Sequence, residues 1–288
     1  MKKIVIFGST GLLGSTIEPF LRKLGYKLTA YNRNIGTTLS FYDPSNINRM
    51  LDEARPDCVL NLIALTDVDY CELNPNITYL TNVKIVDNIA GWVKKNKNSH
   101  LIHVSSDHVY NSFGLNDERS IVLTNYYAYS KYMSELVALS CSSTIIRTNF
   151  FGKSNHVKRK TLTDWIYSSV LSQISIKVFN DIYFSPLSLK SLSNIVSMLI
   201  ELQPKGIYNV GSTGGMSKAE FASIFISSLN RDYIGALSVS SDTSSILKTC
   251  RPKGMIMCNQ KIEKVLDIKM PTLRDEIFKV SMEYQNDL

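Results

Sequence analysis

Residues 3–15 read KIVIFGSTGLLGS, an apolar run that leads directly into three glycines and then into a segment with helical periodicity. Glycine permits positive φ and lets the backbone approach a bulky anion closely, and a helix N-terminus offers free N–H groups and a favourable dipole. A strand, a glycine turn spaced G-x-x-G-x-x-G and a helix, in this order, indicate a dinucleotide-binding fold. We expect the pyrophosphate of the dinucleotide to contact the residues of this turn, namely Gly8, Thr10, Gly11, Leu12, Leu13 and Gly14.

Beyond this turn, short apolar runs alternate with amphipathic stretches of helical length, which is the pattern of a parallel sheet covered by helices on both faces. The predicted strands are residues 3–8, 27–31, 58–64, 101–106 and 144–148. The predicted helices lie near residues 12–24, 46–54, 76–96 and 127–140. The fourth strand is almost continuously apolar, as a strand buried on both faces should be. These features predict an α/β fold with a doubly wound, Rossmann-type parallel sheet.

The regular alternation fades after Thr148. Later elements are predicted as helices near residues 161–172, 189–202, 217–229, 260–266 and 272–284, with a strand at 206–211 that could return to the sheet. We therefore expect a smaller, partly discontinuous C-terminal lobe that binds the substrate. In this interpretation residues 1–148 and about 188–211 form the nucleotide-binding domain, and residues of about 149–187 and 212–288 form the lobe.

Composition and charge narrow the class of protein. The 288 residues are 44% hydrophobic, yet no run approaches the roughly 20 apolar residues of a membrane span, so we expect a soluble protein without a membrane partner. The five cysteines form no C-x-x-C pair, which favours the reducing cytoplasm, and the four histidines show no metal-ligand spacing, so no metal is expected. The net charge of +7 favours an anionic partner. We expect a phosphate-bearing small molecule and not nucleic acid, because no nucleic-acid-binding motif accompanies the charge.

Tyr127 and Lys131 stand four residues apart in a helical pattern and therefore share one helix face. Ser106 closes the predicted fourth strand at its carboxyl end, where a doubly wound sheet places its active site. A phenol has a pKa near 10, and an adjacent ammonium stabilises the phenolate and lowers that pKa. The serine hydroxyl can hydrogen-bond a carbonyl oxygen on which negative charge develops. Together with the glycine turn, this set predicts a nicotinamide-dependent oxidoreductase with Tyr127, Lys131 and Ser106 as its catalytic residues.

The end of the second predicted strand bears on the choice of cofactor. Residues 30–33 read AYNR and carry no acidic side chain to bind an adenine ribose 2′-hydroxyl, whereas Arg33 is available for a 2′-phosphate. The sequence therefore favours NADPH, with NADH as the alternative. Asp43 is a candidate for contacting the adenine edge.

These motifs belong to a longer set of stretches that covers nearly the whole chain. The set is GSTGLLGS at 8–15, NLIALTDVDYCELNP at 61–75, HVSSDHVY at 103–110, YAYSK at 127–131, IIRTNFFG at 145–152, SPL at 185–187, GIYNVGSTGGMSKAEFA at 206–222 and RP at 251–252. In these stretches the chain resembles the extended short-chain dehydrogenases/reductases, and specifically the dTDP-4-dehydrorhamnose reductase group. The resemblance implies NADPH-dependent reduction of the 4-keto group of a nucleotide-linked 6-deoxyhexose, with dTDP as the expected nucleotide. Such deoxysugar biosynthesis supplies polysaccharides or glycoconjugates.

The resemblance also implies roles for individual residues. Tyr127 would donate a proton to the sugar C4 oxygen, Lys131 would hold the nicotinamide ribose, and Ser106 would replace the family's usual threonine. The remaining implied contacts are Ala64 and Leu65 with the cofactor, Thr66 and Val68 with the sugar, and Asn82 as a residue that orders the site. Beyond what the resemblance implies, we expect a basic residue of the second lobe to meet the diphosphate, and the candidates are Lys158, Arg159 and Arg251.

Two positions depart from the family pattern. His108 stands where these enzymes usually have tyrosine, Phe150 stands where they usually have tryptophan, and both positions resemble sugar-contacting ones. The substrate therefore need not be the 4-keto-rhamnose precursor itself, and His108 could equally be a packing histidine. Two other functions stay open: a nucleotide-sugar epimerase, which regenerates its cofactor internally, and a non-catalytic regulatory subunit with the same fold. A homodimer is also compatible with the resemblance.

Overall fold

The structure is a computed structural model that describes residues 1–32, 41–156, 159–240 and 248–285. Its strands are β1 (Lys3–Phe7), β2 (Lys27–Tyr31), β3 (Cys58–Asn61), β4 (His100–Val104), β5 (Ser143–Thr148), β6 (Phe150–Phe151), β7 (Ile176–Phe179), β8 (Tyr183–Phe184), β9 (Leu187–Ser188), β10 (Gly206–Val210), β11 (Met216–Ser217), β12 (Leu237–Ser240) and β13 (Gly254–Met255). Its helices are α1 (Gly14–Lys23), α2 (Pro44–Ala54), α3 (Val68–Leu73), α4 (Pro75–Tyr79), α5 (Ile85–Lys95), α6 (Tyr126–Ala138), α7 (Leu162–Leu171), α8 (Leu189–Leu202), α9 (Lys218–Ser228), α10 (Gln260–Leu266) and α11 (Leu273–Gln285). A π-helical turn at Leu80–Lys84 joins α4 to α5, and a 3-10 turn at Asp107–Val109 follows β4.

The main sheet in the described part of the chain has six strands in the order β10-β5-β4-β3-β1-β2, and the strands from β1 to β5 pair in parallel. Val5 and Phe7 of β1 pack in a core with apolar residues of α2 and α5. Ile4 and Ile6 alternate with them and are also buried, so this strand is covered on both faces. The prediction of a doubly wound parallel sheet is therefore confirmed.

Two features that follow β3 have no counterpart in the sequence prediction. The strand expected at 58–64 ends at Asn61, whose Oδ1 accepts the Ile63 N–H at 3.3 Å and turns the chain out of the sheet. Helix α3 then begins where the Asp67 carboxylate caps its first turn. The helix expected at 76–96 is interrupted by the π-helical turn, which changes the face that the following residues present.

The chain divides into two compact units. The first comprises Met1–Ser106, Asn125–Arg147 and Ser193–Tyr208, and the second comprises Asp107–Thr124, Thr148–Leu192 and Asn209–Leu288. This division differs from the expected domain boundaries at 107–124, 188–192 and 209–211, which the sequence assigns to the first domain. For residues 107–124 the reason is hydrogen bonding, because the Asn116 N–H donates to the Ile256 carbonyl at 2.8 Å and Asn111 Oδ1 accepts the Lys253 N–H at 2.7 Å.

The second unit has an aromatic core of its own. Phe151, Phe221, Phe225 and Tyr284 are almost fully buried in it, and the rings of Phe151 and Phe221 meet edge to face at 4.9 Å. Small sheets of this unit have the strand orders β11-β8-β13, β12-β7 and β6-β9. None of the helices within the described ranges combines the length and the apolarity needed to cross a membrane.

Candidate active site

The glycine turn lies at the carboxyl end of β1, beside the loop that follows β3. The strand order reverses between β1 and β3, and open α/β sheets bind their ligands at such a reversal. Gly8 has φ of +92°, and a Cβ on it would lie 3.0 Å from the Ile63 backbone nitrogen. A Cβ on Gly14 would lie 2.2 Å from the Gly8 carbonyl oxygen. Both positions therefore require glycine for the chain's own packing.

Gly11 differs from Gly8 and Gly14, because its surroundings in the described structure leave room for a Cβ. A Cβ on Gly11 would meet the Gly8 carbonyl oxygen at 3.4 Å, an ordinary contact distance, and no other atom within 4 Å. Helix α1 then begins without a side-chain cap and without an acidic residue in its first turn, so its N–H groups and dipole favour an anion. The space beside Gly11 fits the close approach of a pyrophosphate to the backbone.

The π-helical turn carries Asn82, a fully buried residue that clamps the loop after β3. Its Oδ1 accepts the Leu65 N–H at 2.7 Å, and its Nδ2 donates to the Leu65 carbonyl at 3.1 Å. The same Nδ2 donates to Ser130 Oγ at 2.8 Å, and that hydroxyl donates to the Tyr127 carbonyl at 2.8 Å. One side-chain amide thus ties the loop to α6. Ordering of the site by Asn82 has this physical basis, while Ser130 is a residue that sequence reasoning missed.

Tyr127 is the second residue of α6, whose N-terminus is capped by the side chain of Asn125. Its ring packs with Val68 and Cys71 of α3, Leu65 packs against the same cluster, and only 7% of the tyrosine is exposed. Apolar packing therefore fixes the ring that carries the candidate proton donor.

Lys131 lies one helical turn after Tyr127 and is only 1% exposed. Its Nζ donates to the Val104 carbonyl at 2.8 Å, at the end of β4. Burial lowers the pKa of Lys131 to about 8, against the opposing effect of the Glu135 carboxylate. An ammonium with a pKa this close to neutrality can stabilise a nearby phenolate and can also give up a proton.

A buried ion pair follows Lys131 on the same helix. Arg147 donates through Nε to Glu135 Oε1 at 2.9 Å and through Nη2 to Oε2 at 2.6 Å, and both side chains are almost fully buried. Ser105 Oγ donates to Glu135 Oε1 at 2.5 Å. The pair therefore holds the residue next to Ser106, which is itself buried. Sequence reasoning missed the pair, although Glu135 stands four residues after Lys131 and so shares its helix face.

The predicted substrate residues His108, Phe150 and Arg251 belong to the second unit. His108 lies in the 3-10 turn, where burial, together with the positive charges of Lys218 and Arg251, lowers its pKa to about 3. The imidazole is therefore neutral at physiological pH. Phe150 begins β6 and pairs with Leu187 of β9.

Lys218 is a second cation of this unit that sequence reasoning missed. Strand β8 pairs in parallel with β13 and antiparallel with β11, so the end of β11 and the start of β13 lie at the same end of this small sheet. Lys218 follows β11 and Arg251 precedes β13. Burial lowers the pKa of Lys218, and the Asp107 carboxylate opposes that shift. Two cations at one end of a sheet suit an anionic group such as a phosphate.

The remaining residues expected near the substrate and nicotinamide have different environments. Ala64 and Leu65 lie in the loop after β3 and are partly buried, and Thr66 is exposed. Val68 is only 6% exposed because it packs against Tyr127, so its contact with a sugar stays a prediction.

The two residues expected near the adenosine end stay predictions as well. Asp43 has a structural role that the sequence reading did not anticipate, because its Oδ1 accepts the Ser45 N–H at 2.9 Å and caps α2. Two hydrogen bonds from Ser45 lower the pKa of this carboxyl group, so it is ionised at neutral pH. Arg33 lies outside the described residues.

Comparison with known proteins places the chain among nucleotide-sugar enzymes. The spore coat polysaccharide biosynthesis protein SpsK of Bacillus subtilis is 27% identical over 276 residues, which cover 92% of each chain. A dTDP-4-dehydrorhamnose reductase of Escherichia coli is 25% identical over 235 residues, which cover 77% of this chain and 76% of that one. The solved structure of dTDP-4-dehydrorhamnose reductase from Bacillus anthracis in complex with NADP has the same fold, with a TM-score of 0.88 at 22% identity over 98% of this chain and 99% of that one. The family model described as the RmlD substrate binding domain matches residues 1–286, and the chain therefore belongs to this family.

Proposed function

We propose that this chain is an NADPH-dependent reductase of the 4-keto group of a nucleotide-linked 6-deoxyhexose, with dTDP as the nucleotide. The observation that carries the proposal is the buried Lys131, which is held at the carboxyl end of β4 one helical turn from Tyr127. The glycine turn of the same unit adds a site suited to a dinucleotide. Ketone reduction needs both a nucleotide site and a positioned proton donor.

The roles of the chain's own residues follow from their chemistry. When bound, the cofactor supplies a hydride to the ketone carbon. Tyr127 donates a proton to the C4 oxygen, and the Lys131 ammonium stabilises the phenolate that remains. Because its pKa is about 8, Lys131 can also return a proton to Tyr127. Ser106 hydrogen-bonds the C4 oxygen while negative charge develops on it.

We assign recognition of the substrate to residues of the second unit. Arg251 and Lys218 would meet the diphosphate, since charge-assisted hydrogen bonds to phosphate are strong. His108, which is neutral, would hydrogen-bond a sugar hydroxyl, and Phe150 would pack against the ring. A sugar that differs from the 4-keto-rhamnose precursor would be recognised through these two side chains.

The relatives support this proposal. The Escherichia coli protein is named a dTDP-4-dehydrorhamnose reductase, and SpsK is named for polysaccharide biosynthesis. The Bacillus anthracis structure is described as a complex with NADP, which supports NADPH as the cofactor. Binding of its 2′-phosphate by Arg33 stays a proposal from the sequence. We further propose that the protein works in the cytoplasm as a homodimer. All five cysteines are free thiols in the structure, which suits a reducing compartment.

The direct test is a screen of 4-keto sugars linked to dTDP, UDP, GDP and CDP, with NADPH and NADH in parallel. Loss of nicotinamide absorbance reports reduction, and NMR identifies the product. Stoichiometric consumption of NADPH supports the reductase, whereas product without net consumption would identify an epimerase. Failure to turn over any keto sugar, together with a stable protein complex, would favour a regulatory subunit.

A single variant tests the assigned proton donor. Tyr127→Phe should bind NADPH like the parent and lose turnover at least about 100-fold, because it removes a general acid. A Tyr127→Phe protein that retains full ketone reduction would rule out this assignment.

A further inference from the structure

We propose that His103, a buried residue of β4, positions Lys131 through a directed chain of hydrogen bonds and is thus a further positioning residue for the reaction. This inference rests on the proposed function. His103 is fully buried, and its two ring nitrogens join β3 on one side to α6 on the other.

The direction of every hydrogen bond in the chain follows from its ends. Asn61 Oδ1 accepts the Ile63 N–H, so the Asn61 amide directs its Nδ2 toward His103 Nδ1, 3.1 Å away. An amide nitrogen can only donate, so His103 Nδ1 accepts and the ring proton lies on Nε2. His103 Nε2 then donates to Ser134 Oγ at 2.8 Å, and Ser134 Oγ donates to the Lys131 carbonyl at 2.6 Å.

Both ends of this chain reach the candidate site. The Ile63 nitrogen is an atom that a Cβ on Gly8 would meet at 3.0 Å, so one end lies against the glycine turn. The other end is the backbone of Lys131, whose Nζ is bound to the Val104 carbonyl. A buried polar network in which each donor has an acceptor is rigid. This series of hydrogen bonds therefore fixes the glycine turn and Lys131 relative to each other.

The imidazole also stays neutral under working conditions. Its burial, and the nearby positive charge of Lys131, hold the pKa of His103 well below its usual range. A proton on Nδ1 would in addition face the donor nitrogen of Asn61. The network consequently keeps one hydrogen-bond pattern and acts by position.

The same strand provides a matched control. His100 is buried as well, with Nδ1 3.0 Å from Ser142 Oγ and Nε2 2.7 Å from Thr144 Oγ1. Thr144 in turn donates to the Pro204 carbonyl, so the hydrogen bonds that start from His100 do not lead to Lys131 or to the glycine turn. Replacing either histidine removes from β4 a neutral imidazole that makes two hydrogen bonds. Of the two, only His103 is hydrogen-bonded to a residue of α6.

The test compares four variants of the full chain: His103→Leu, His103→Gln, Ser134→Ala and His100→Leu. NADPH affinity is measured by fluorescence titration, and kcat and KM are measured with the keto sugar found in the screen, at a temperature where circular dichroism shows each variant folded. We expect His103→Leu to lower kcat about tenfold and to weaken NADPH binding about fivefold, with an unchanged KM for the sugar, because small displacements of a catalytic group are costly. Ser134→Ala should act in the same direction.

The conservative variant and the control separate positioning from simple core packing. In His103→Gln the amide oxygen and nitrogen can replace the two ring nitrogens, so kcat and NADPH affinity should return to within about threefold of the parent. His100→Leu should lower the melting temperature and leave both quantities unchanged.

Two results would overturn the inference, and two further cases need a separate rule. The inference is overturned if His103→Leu and Ser134→Ala both keep the parent's kcat and NADPH affinity, or if His100→Leu loses as much as His103→Leu. If His103→Leu does not fold, Ser134→Ala alone decides. If the parent binds NADPH but reduces no keto sugar, the proposed function fails, while the NADPH titrations still test His103.

Discussion

Replacing Lys131 by methionine should make the cofactor-free protein more stable at neutral pH while abolishing ketone reduction. Methionine keeps much of the length of the side chain and removes its charge. Reduction is lost because no ammonium remains beside Tyr127. A gain in stability is expected because the buried charge serves catalysis at the expense of the fold.

The magnitude follows from the pKa of the lysine. Burial lowers that pKa from 10.5 to about 8, and one pKa unit corresponds to about 1.4 kcal/mol, so the buried charge costs about 3 kcal/mol. Loss of the hydrogen bond to the Val104 carbonyl costs about 1–2 kcal/mol, which leaves a net gain of about 1–2 kcal/mol.

The sign of the effect depends on pH. Below the folded pKa of about 8, both the folded and the unfolded chain hold the proton, and the whole cost is present. Between this value and 10.5 the unfolded chain binds more protons, so the stability of the parent rises with pH. Above 10.5 the cost has disappeared, and the variant should have no advantage.

Urea unfolding of Lys131→Met and the parent at pH 7 and pH 10 measures this difference. Trp92 and Trp165 provide one fluorescent reporter in each unit. Lys95→Met, at an exposed site on α5, is the control and should change the free energy of unfolding by less than about 0.5 kcal/mol. The reasoning is refuted if Lys131→Met is less stable than the parent at pH 7, or if the difference does not shrink at pH 10.

Three further predictions concern other parts of the site. Gly11→Ala should keep the parent's melting temperature and lose NADPH affinity about tenfold, because its Cβ enters only the space proposed for the pyrophosphate. The control Gly14→Ala should have a lower melting temperature, because its Cβ would lie 2.2 Å from a backbone oxygen. An unchanged NADPH affinity of Gly11→Ala would contradict this prediction. Glu135→Gln should lower the free energy of unfolding by about 3–5 kcal/mol in urea, since Arg147 is then buried without its counter-charge, and a loss below about 1 kcal/mol would count against a tight pair. Because the pKa of His108 is about 3, this histidine should not cause an inflection near pH 6.5 in the pH dependence of KM for the sugar nucleotide. An inflection near pH 6.5 that is present in the parent and absent from His108→Phe would mean that His108 is protonated in this range.

The parts of the site that the sequence predicts are those with local signals. The glycine turn needs only its spacing and the strand before it, and the Tyr127–Lys131 pair needs only a helical period. Strands β1, β3 and β4 are mostly apolar, as expected for strands buried on both faces, so their positions could also be predicted.

The parts that could not be predicted depend on contacts between distant segments. For Asn82 the family resemblance implies only that it orders the site, whereas its hydrogen bonds to Leu65, 17 residues earlier, appear only in the structure. The pairing of Glu135 with Arg147 joins a helix to a strand, and neither residue has a signal of its own. The two-residue strands of the second unit are likewise too short for any period to appear in the sequence.

The three glycines of the first turn should differ in how strictly related proteins retain them. Gly8 and Gly14 are required by the backbone itself, so any protein that retains this turn should retain them, whatever it binds. We propose that Gly11 is needed only for the bound pyrophosphate, so a relative that kept the fold but lost its nucleotide could carry another residue there. On this interpretation, the residue at position 11 distinguishes relatives of this fold that bind a dinucleotide from relatives that have lost this binding.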